Sequence, residues 1–241
     1  MNISNVGDGV SAGAGNWKFS GDAVDSFDDH VSKSVPLYNE GHELICDVSD
    51  FFIKPDSVCY EIGSSTGTLT LKLAEHNKEK STARFIGIDI ESDMITKAKD
   101  KIENNSELNV EFLVENVLEM ALEKTDMVIC YYTVQFIDPS VRQALMDKIY
   151  ASLNWGGALL LFEKVRGSDA RFQDILTTLY NDYKLRMGYT PEEIISKTRS
   201  LKGVLEPFST QGNVDMLNRA GFEDINTVQK YLCFEGFLAI K

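Results

Sequence analysis

Apolar residues along this chain follow two spacings. Near-continuous apolar runs at Ser57–Ile62, Ala83–Ile88, Val110–Val114, Met127–Tyr132 and Ala158–Phe162 predict buried strands. Between them the apolar positions recur at three- and four-residue steps, which predicts helices. Met94, Ile95, Ala98 and Ile102 share one face of Ser92–Ile102, and Val141, Leu145, Ile149 and Leu153 follow Ser140 as a cap. The segment Thr68–Leu73 alternates as a strand would, yet Leu69, Leu73 and Ala74 also fit a helical face, and its place in the alternation decides for a helix. Strand and helix in strict turn, with strands apolar on both sides, predict an α/β fold: a doubly wound, mostly parallel sheet covered on both faces.

The ends of the chain depart from this alternation. Met1–Gly15 is rich in Gly, Ser and Asn and is expected to be a flexible tail ahead of one unit spanning residues 16–241. Within that unit, residues 16–54 are expected to form an N-terminal helical cap, two helices around Pro36, and residues 167–208 a mostly helical insertion with Phe172, Leu176, Leu179 and Tyr183 on one face. A helix near Val214–Arg219 stops at Gly221, and Ile225–Val228 and Leu232–Ile240 are close enough to form an antiparallel hairpin, giving seven strands in all.

Composition narrows the function. A net charge of −13, from 24 basic and 37 acidic residues, repels phosphate backbones, and the densest basic cluster, Lys184, Arg186, Lys197, Arg199 and Lys202, is interleaved with acids. Nucleic-acid binding is therefore not expected. Cys46, Cys59, Cys130 and Cys233 stand singly in apolar surroundings, as reduced buried thiols do. With no signal-peptide pattern and no run long enough to cross a bilayer, the expectation is a soluble cytoplasmic protein. His30, His42 and His76 lack metal-ligand spacing, so no metal is expected; His30 lies in the region that caps the sheet.

The chemistry concentrates at two strand ends. The first strand runs into "EIGSSTG", where Gly63 lets backbone approach a ligand, Ser64 and Ser65 add short hydroxyls, and Gly67 permits a tight turn into the next helix. A dinucleotide turn would read G-x-G-x-x-G; here Glu61 precedes the first glycine, which disfavours pyrophosphate and suits a cation. The second strand, "RFIGIDI", ends at Asp89, where a carboxylate accepts hydrogen bonds from ribose hydroxyls. Together they describe a site for a cationic ribonucleoside such as S-adenosylmethionine. Asn116, beyond the third strand, can contact adenine or cap a turn, and Tyr131, Tyr132 and Gln135, beyond the fourth, can meet the substrate or fill core.

Several longer stretches carry a family likeness: Trp17 and Phe19, "KSVPLY", "VCYEIGSS", "IGID", "TVQFIDPSVRQALMDKIYASLNWGGALLLFEK", "YNDYKLRMGY" and "LNRAGF". In these the chain resembles the class I S-adenosylmethionine-dependent methyltransferases and, among them, the carboxy-S-adenosylmethionine synthases of bacterial tRNA wobble-uridine modification, over roughly Trp17 to Lys241. The resemblance implies the Rossmann-like methyltransferase fold and cofactor contacts at Tyr38, Gly63, Ser64, Ser65, Asp89, Ile90, Asn116, Val117 and Tyr131. It also implies a homodimer with the inserted helices at or near the interface.

Departures from that family's pattern bear on the reaction. The family's turn is led by aspartate and reads Gly-Cys-Ser, where this chain has Glu61 and Gly63-Ser64-Ser65; Ile90, Asn116 and Tyr131 replace its Asn, Asp and Asn. The family arginine that pairs with the extra carboxylate of the carboxylated cofactor aligns, without a gap, with Thr198. Arg199 follows, about 100° further round a helix. An unpaired carboxylate in a dry site costs on the order of 2–5 kcal/mol, so ordinary S-adenosylmethionine is the expected cofactor. Methyl transfer to a small molecule, releasing S-adenosylhomocysteine, is the expected reaction, with His30, Tyr132 and Arg199 as candidate substrate contacts and no catalytic base assigned. Two alternatives stand beside it: a carboxy-S-adenosylmethionine synthase using S-adenosylmethionine and prephenate, in which Arg199 substitutes for the missing arginine, and a non-catalytic cofactor-binding partner subunit. A nicotinamide dehydrogenase is disfavoured by the glycine spacing.

Overall fold

A computed structural model describes residues 4–8, 10–21, 24–103 and 107–241. Elements run β1 (Ser4–Asn5), β2 (Ser11–Ala12), α1 (Phe27–Ser34), α2 (Tyr38–Ser49), β3 (Val58–Ile62), α3 (Thr68–His76), β4 (Arg84–Asp89), α4 (Ser92–Ile102), β5 (Val110–Val114) and β6 (Thr125–Tyr131). The second half contains α5 (Arg142–Ser152), β7 (Leu153–Lys164), α6 (Ala170–Arg186), α7 (Pro191–Ser200), α8 (Thr210–Ala220), β8 (Asp224–Tyr231) and β9 (Phe234–Ile240).

Seven strands form one sheet in the order β5-β4-β3-β6-β7-β9-β8. The first five are parallel, and β9 lies antiparallel between β7 and β8, as the short terminal connection predicted. Side chains two apart share a face, so the sheet carries two cores. Tyr60, Ile62, Val128, Cys130, Leu159 and Leu161 pack with Leu145 and Ile149 of α5 and Met216 and Leu217 of α8. Cys59, Phe85, Met127, Ile129, Leu160 and Phe162 pack instead with Ile45 of α2 and Leu69 and Leu73 of α3. This two-sided burial explains why the β3 residues are all buried and the strand reads as an unbroken apolar run around Glu61.

The strand order reverses at β3: β4 and β5 lie on one side, β6 and β7 on the other. A crevice therefore opens beyond the carboxyl ends of β3 and its neighbours. α1 and α2, separated by Pro36, sit over that edge, and α6 and α7 cover it from the insertion.

Two local expectations differ from the structure. Within Met1–Gly15, residues 1–3 and 9 lie outside the described residues, but the rest does not behave as a flexible tail. β1 and β2 pair, and Val6 and Val10 are buried against Trp17, Phe19, Leu201 and Val204. The amide of Gly15 donates to the Arg199 carbonyl at 2.9 Å, tying the segment to α7. Two isolated valines give no periodic signal, so the pairing was invisible to a pattern search. Ser140 is not the cap of α5: its hydroxyl donates to Asp138 at 2.7 Å, and the helix starts at Arg142. The four cysteines are free and buried, and among the described residues no helix is long and apolar enough to cross a membrane.

Candidate functional site

The β3–α3 turn builds one wall of the crevice. Gly63 and Ser64 both donate their amides to the Ile88 carbonyl, at 2.7 and 3.0 Å, which pins the turn to β4. Gly63 has φ +76°, and a Cβ there would strike the side chain of Thr133. Gly67, at φ +75°, starts α3 with Phe112 and Ala98 against its Cα, so a side chain would push the helix off the sheet. Asp28 on α1 accepts hydrogen bonds from Thr66 at 2.7 Å, Lys101 at 2.8 Å and Thr68 at 3.2 Å, fastening the cap to this turn.

Two acids face the same space. Asp89 accepts the amides of Ser65 at 2.8 Å and Glu91 at 2.9 Å on its two oxygens, so it is aimed by backbone and keeps a lone pair on each for ribose hydroxyls. Burial raises its pKa despite those bonds. Glu61 is buried and accepts the Thr70 hydroxyl; burial pushes its carboxyl up to about 8. A buried acid without a cationic partner is a poor anion on its own and a good one beside a bound cation.

An aromatic wall closes the crevice opposite the turn. Tyr38, at the start of α2, lies 5.1 Å from the Tyr131 ring and 6.3 Å from that of Tyr132. Tyr131 spends its hydroxyl on the Tyr38 carbonyl at 2.6 Å. Tyr132 adopts φ +58°, rare for an aromatic residue, and its buried hydroxyl has no partner. The Ser64 hydroxyl is likewise buried and unpartnered. Two orphaned hydroxyls, a glycine cradle and two acids lining one cavity of about 900 Å³ fit a cationic nucleoside of the size of S-adenosylmethionine.

The other end of the cavity is basic. Lys164 ends β7, Lys184 lies on α6 and Lys197 on α7, and all three line the cavity. Lys164 and Lys184 stand 4.6 and 4.5 Å from the centroid of Tyr180, and neither has an ion-pair partner among the described residues. Contact with a ring is worth about 0.5–2 kcal/mol, less than the several kcal/mol needed to dry an ammonium group. Burial, reinforced by Lys164, pushes the Lys184 amine down to about 8, and burial with Lys184 pushes Lys197 down to about 7.

His30 connects this end to the N-terminal segment. Burial, with Lys197 beside it, pushes its ring down to about 4, so the imidazole is neutral near pH 7. Its Nδ1 lies 2.8 Å from Asp8 Oδ2 and its Nε2 2.5 Å from Lys197 Nζ. Burial pushes Asp8 up, but bonds from Lys33, Tyr189 and His30 outweigh it and hold it at about 2. Asp8 is thus an acceptor only, which places the imidazole proton on Nδ1 and leaves Nε2 to accept from Lys197. Lys197 also donates to Ser34 at 2.7 Å.

The cavity brings together Tyr38, Glu61, Gly63, Ser64, Ser65, Asp89, Ile90, Asn116, Val117, Tyr131, Tyr132 and His30. Asn116 takes the turn role: its carbonyl accepts the Leu118 amide at 3.1 Å and its amide donates to Glu119 at 2.9 Å. Arg199 is corrected. It is exposed and does not line the cavity, whereas Lys197, Thr198, Leu201 and Lys202 do, because the turn of α7 points position 199 outward. Sequence reasoning missed Lys164, Lys184 and Lys197 as a site. The signal for Lys164 was its place just past an apolar strand; the other two meet it only through the packing of α6 and α7.

Comparison with known proteins agrees with this geometry. A family model described as "Methyltransferase domain" matches residues 60–157. A solved S-adenosylmethionine-dependent methyltransferase from Methanosarcina mazei superposes with a TM-score of 0.60 at 17% identity, covering 81% of this chain and 96% of that one. Fold and site thus define an S-adenosylmethionine-dependent enzyme of the methyltransferase superfamily. Over nearly the whole chain there are much nearer relatives. A carboxy-S-adenosyl-L-methionine synthase from Staphylococcus epidermidis is 35% identical over 93% of this chain and 97% of its own, and one from Nautilia profundicola is 37% identical over 93% and 94%. The chain belongs to the carboxy-S-adenosyl-L-methionine synthase family.

Proposed function

We propose that this protein moves a carboxyl group from prephenate to the S-methyl carbon of S-adenosylmethionine: prephenate loses carbon dioxide and its ring hydroxyl to become phenylpyruvate, the hydroxide and one methyl proton leave as water, and the methyl carbon bonds the carbon dioxide to give carboxy-S-adenosylmethionine. S-adenosylmethionine receives the carboxyl carbon, and its sulfonium makes the S-methyl C–H bonds acidic enough to give up a proton. The observation that carries the reading is Lys197. It lines the same cavity as Glu61 and Asp89, one position before Thr198, where the resemblance implies an arginine for the new carboxylate. Arg199, the substitute first considered, faces away. Glu61 would balance the positive charge of the ligand, Asp89 would hold the ribose, and Tyr38, Tyr131 and Tyr132 would keep water from the sulfonium. His30 would act as a positioning residue, holding the amine of Lys197 toward the cavity.

The test is incubation of the purified protein with S-adenosylmethionine and prephenate, the co-substrate that the resemblance implies, followed by mass spectrometry. A carboxylated sulfonium is the expected product. Its absence, with S-adenosylhomocysteine accumulating only when a metabolite extract is added, would replace this reading with the second one.

That second reading is methyl transfer to a small anionic acceptor, favoured by Thr198 standing where the family has arginine. Under either reading the chain works on small molecules in the cytoplasm, and its charge argues against direct contact with nucleic acid. Exposed apolar residues on α6, Phe172, Ile175 and Leu179 among them, support a homodimer through the insertion.

A further inference from the structure

Arg142, at the start of α5, is almost wholly buried and gives its guanidinium to backbone. Its Nε donates to the Ile137 carbonyl at 2.8 Å, Nη1 to that of Glu206 at 2.7 Å and Nη2 to that of Gln135 at 3.1 Å, over the ring of Phe208. Drying a permanent charge is costly, and what it achieves here is geometric: one rigid fork fixes acceptors on two separate loops.

Both loops line the cavity. The first is the turn after β6, which carries Tyr132, Thr133 and Phe136; Thr133 covers Gly63 so closely that a Cβ there has no room. The second is the return of the insertion, with Val204, Leu205 and Pro207, and the Glu206 amide donates at 2.9 Å to the same Gln135 carbonyl that Arg142 holds. The side chain of Gln135 carries the constraint on to β7: its carbonyl accepts the Lys164 amide at 2.8 Å and its amide donates to the Tyr132 carbonyl at 3.1 Å. From the other side Glu163 accepts the Val134 amide at 3.0 Å and a second bond from the Gln135 backbone. The turn is thus gripped by its carbonyls and by its amides. Tyr132 stands at φ +58°, which a bulky residue keeps only where its surroundings over-determine it.

We propose that Arg142 and Gln135 are positioning residues for catalysis: through one turn they set Tyr132 and Thr133 against Gly63 and the insertion against the sheet, holding the two ends of the cavity at a fixed separation. Arg142 lies outside the cavity lining, and the Gln135 side-chain amide is committed to backbone, so Gln135 serves as a brace. The inference rests on the reading of the chain as an enzyme that joins S-adenosylmethionine to a second small molecule. Alignment of two bound partners is felt in turnover more than in cofactor binding.

Arg142→Lys keeps the charge without the planar fork, and Gln135→Glu keeps the acceptor for the Lys164 amide while losing the donor to Tyr132. Each is expected to lower kcat in the mass-spectrometric assay by about thirtyfold or more, with KM for S-adenosylmethionine and the calorimetric affinity for S-adenosylhomocysteine within about threefold. Because both act through one turn, the double variant should lose no more than about threefold beyond the worse single one, whereas independent structural effects would multiply. In Arg142→Lys, amide exchange should rise together in residues 132–137 and 204–207. Turnover near wild type in both variants, a loss seen in KM instead, or losses that multiply would overturn the assignment. If Arg142→Lys does not fold, the kcat-against-KM split of Gln135→Glu decides it. If the unmodified protein makes no product, the proposed function fails, and exchange judges the clamp: a rise confined to one of the two segments would overturn it.

Discussion

The imidazole of His30 bridges Asp8 Oδ2, at 2.8 Å, and Lys197 Nζ, at 2.5 Å, so a residue of the N-terminal hairpin reaches a cavity amine through one ring. Trp17 stacks on that ring at 5.6 Å, fixing its plane.

Asp8 should therefore matter more than a residue in a glycine-rich opening stretch ordinarily would. Asp8→Asn is expected to lower stability by about 1–3 kcal/mol at pH 7 and to raise amide exchange between residues 4 and 17. The folded pKa is depressed to about 2 from 3.8, so the stabilisation is present above the unfolded value and is lost as pH falls through the folded one. Denaturation curves for wild type and variant should converge between pH 4 and 2.

Glu61→Gln should separate stability from binding. The folded pKa is raised from 4.5 to about 8, so the carboxyl favours the fold below its unfolded pKa and that benefit drains away as pH rises toward 8. The variant is expected to be the more stable protein at pH 8, by about 1–3 kcal/mol, and equal to wild type near pH 4. Its affinity for S-adenosylmethionine should drop at least tenfold at pH 8, read by calorimetry.

Gly63→Ala combines strain at positive φ with a collision against Thr133. A loss of about 1–3 kcal/mol and weakened cofactor binding are expected. Adding Thr133→Gly should recover the part due to the collision and leave the backbone part, which chemical denaturation of both variants would resolve.

Lys197 has a folded pKa lowered to about 7 from 10.5, the reverse case: the buried amine penalises the fold while charged, and stability rises as pH climbs between those values. Lys197→Met should be more stable than wild type by about 1–3 kcal/mol at pH 6, with the gap closing by pH 10.5. The same variant should lose most of the carboxylated product in the mass-spectrometric assay.

Much of this was readable in advance, for stated reasons. β3, β4 and β6 are buried on both faces, so their apolar runs marked them, and the acids ending β3 and β4 marked the crevice. The left-handed turn at Gly63 announced itself because a Cβ has nowhere to go. The basic end stayed hidden because Lys164, Lys184 and Lys197 are widely separated in sequence and meet only when α6 and α7 fold over the sheet. The β1–β2 pairing was hidden for a different reason: two short strands holding Val6 and Val10 against α7 have no period to detect. Arg199 failed as a candidate because sequence adjacency to Thr198 says nothing about which side of α7 a residue occupies.

The segregation of acids to one end of the cavity and lysines to the other has a further effect on the protein's lifetime. An empty cavity leaves its buried acids and its buried lysines without counter-charges, and a bound sulfonium supplies one to the acids, so ligand supply becomes a term in how long the chain stays folded. At a hundredfold excess over the dissociation constant that term is about 2.7 kcal/mol, comparable to a substantial core substitution. Cells short of the metabolite would then hold less of the enzyme, with no regulator needed.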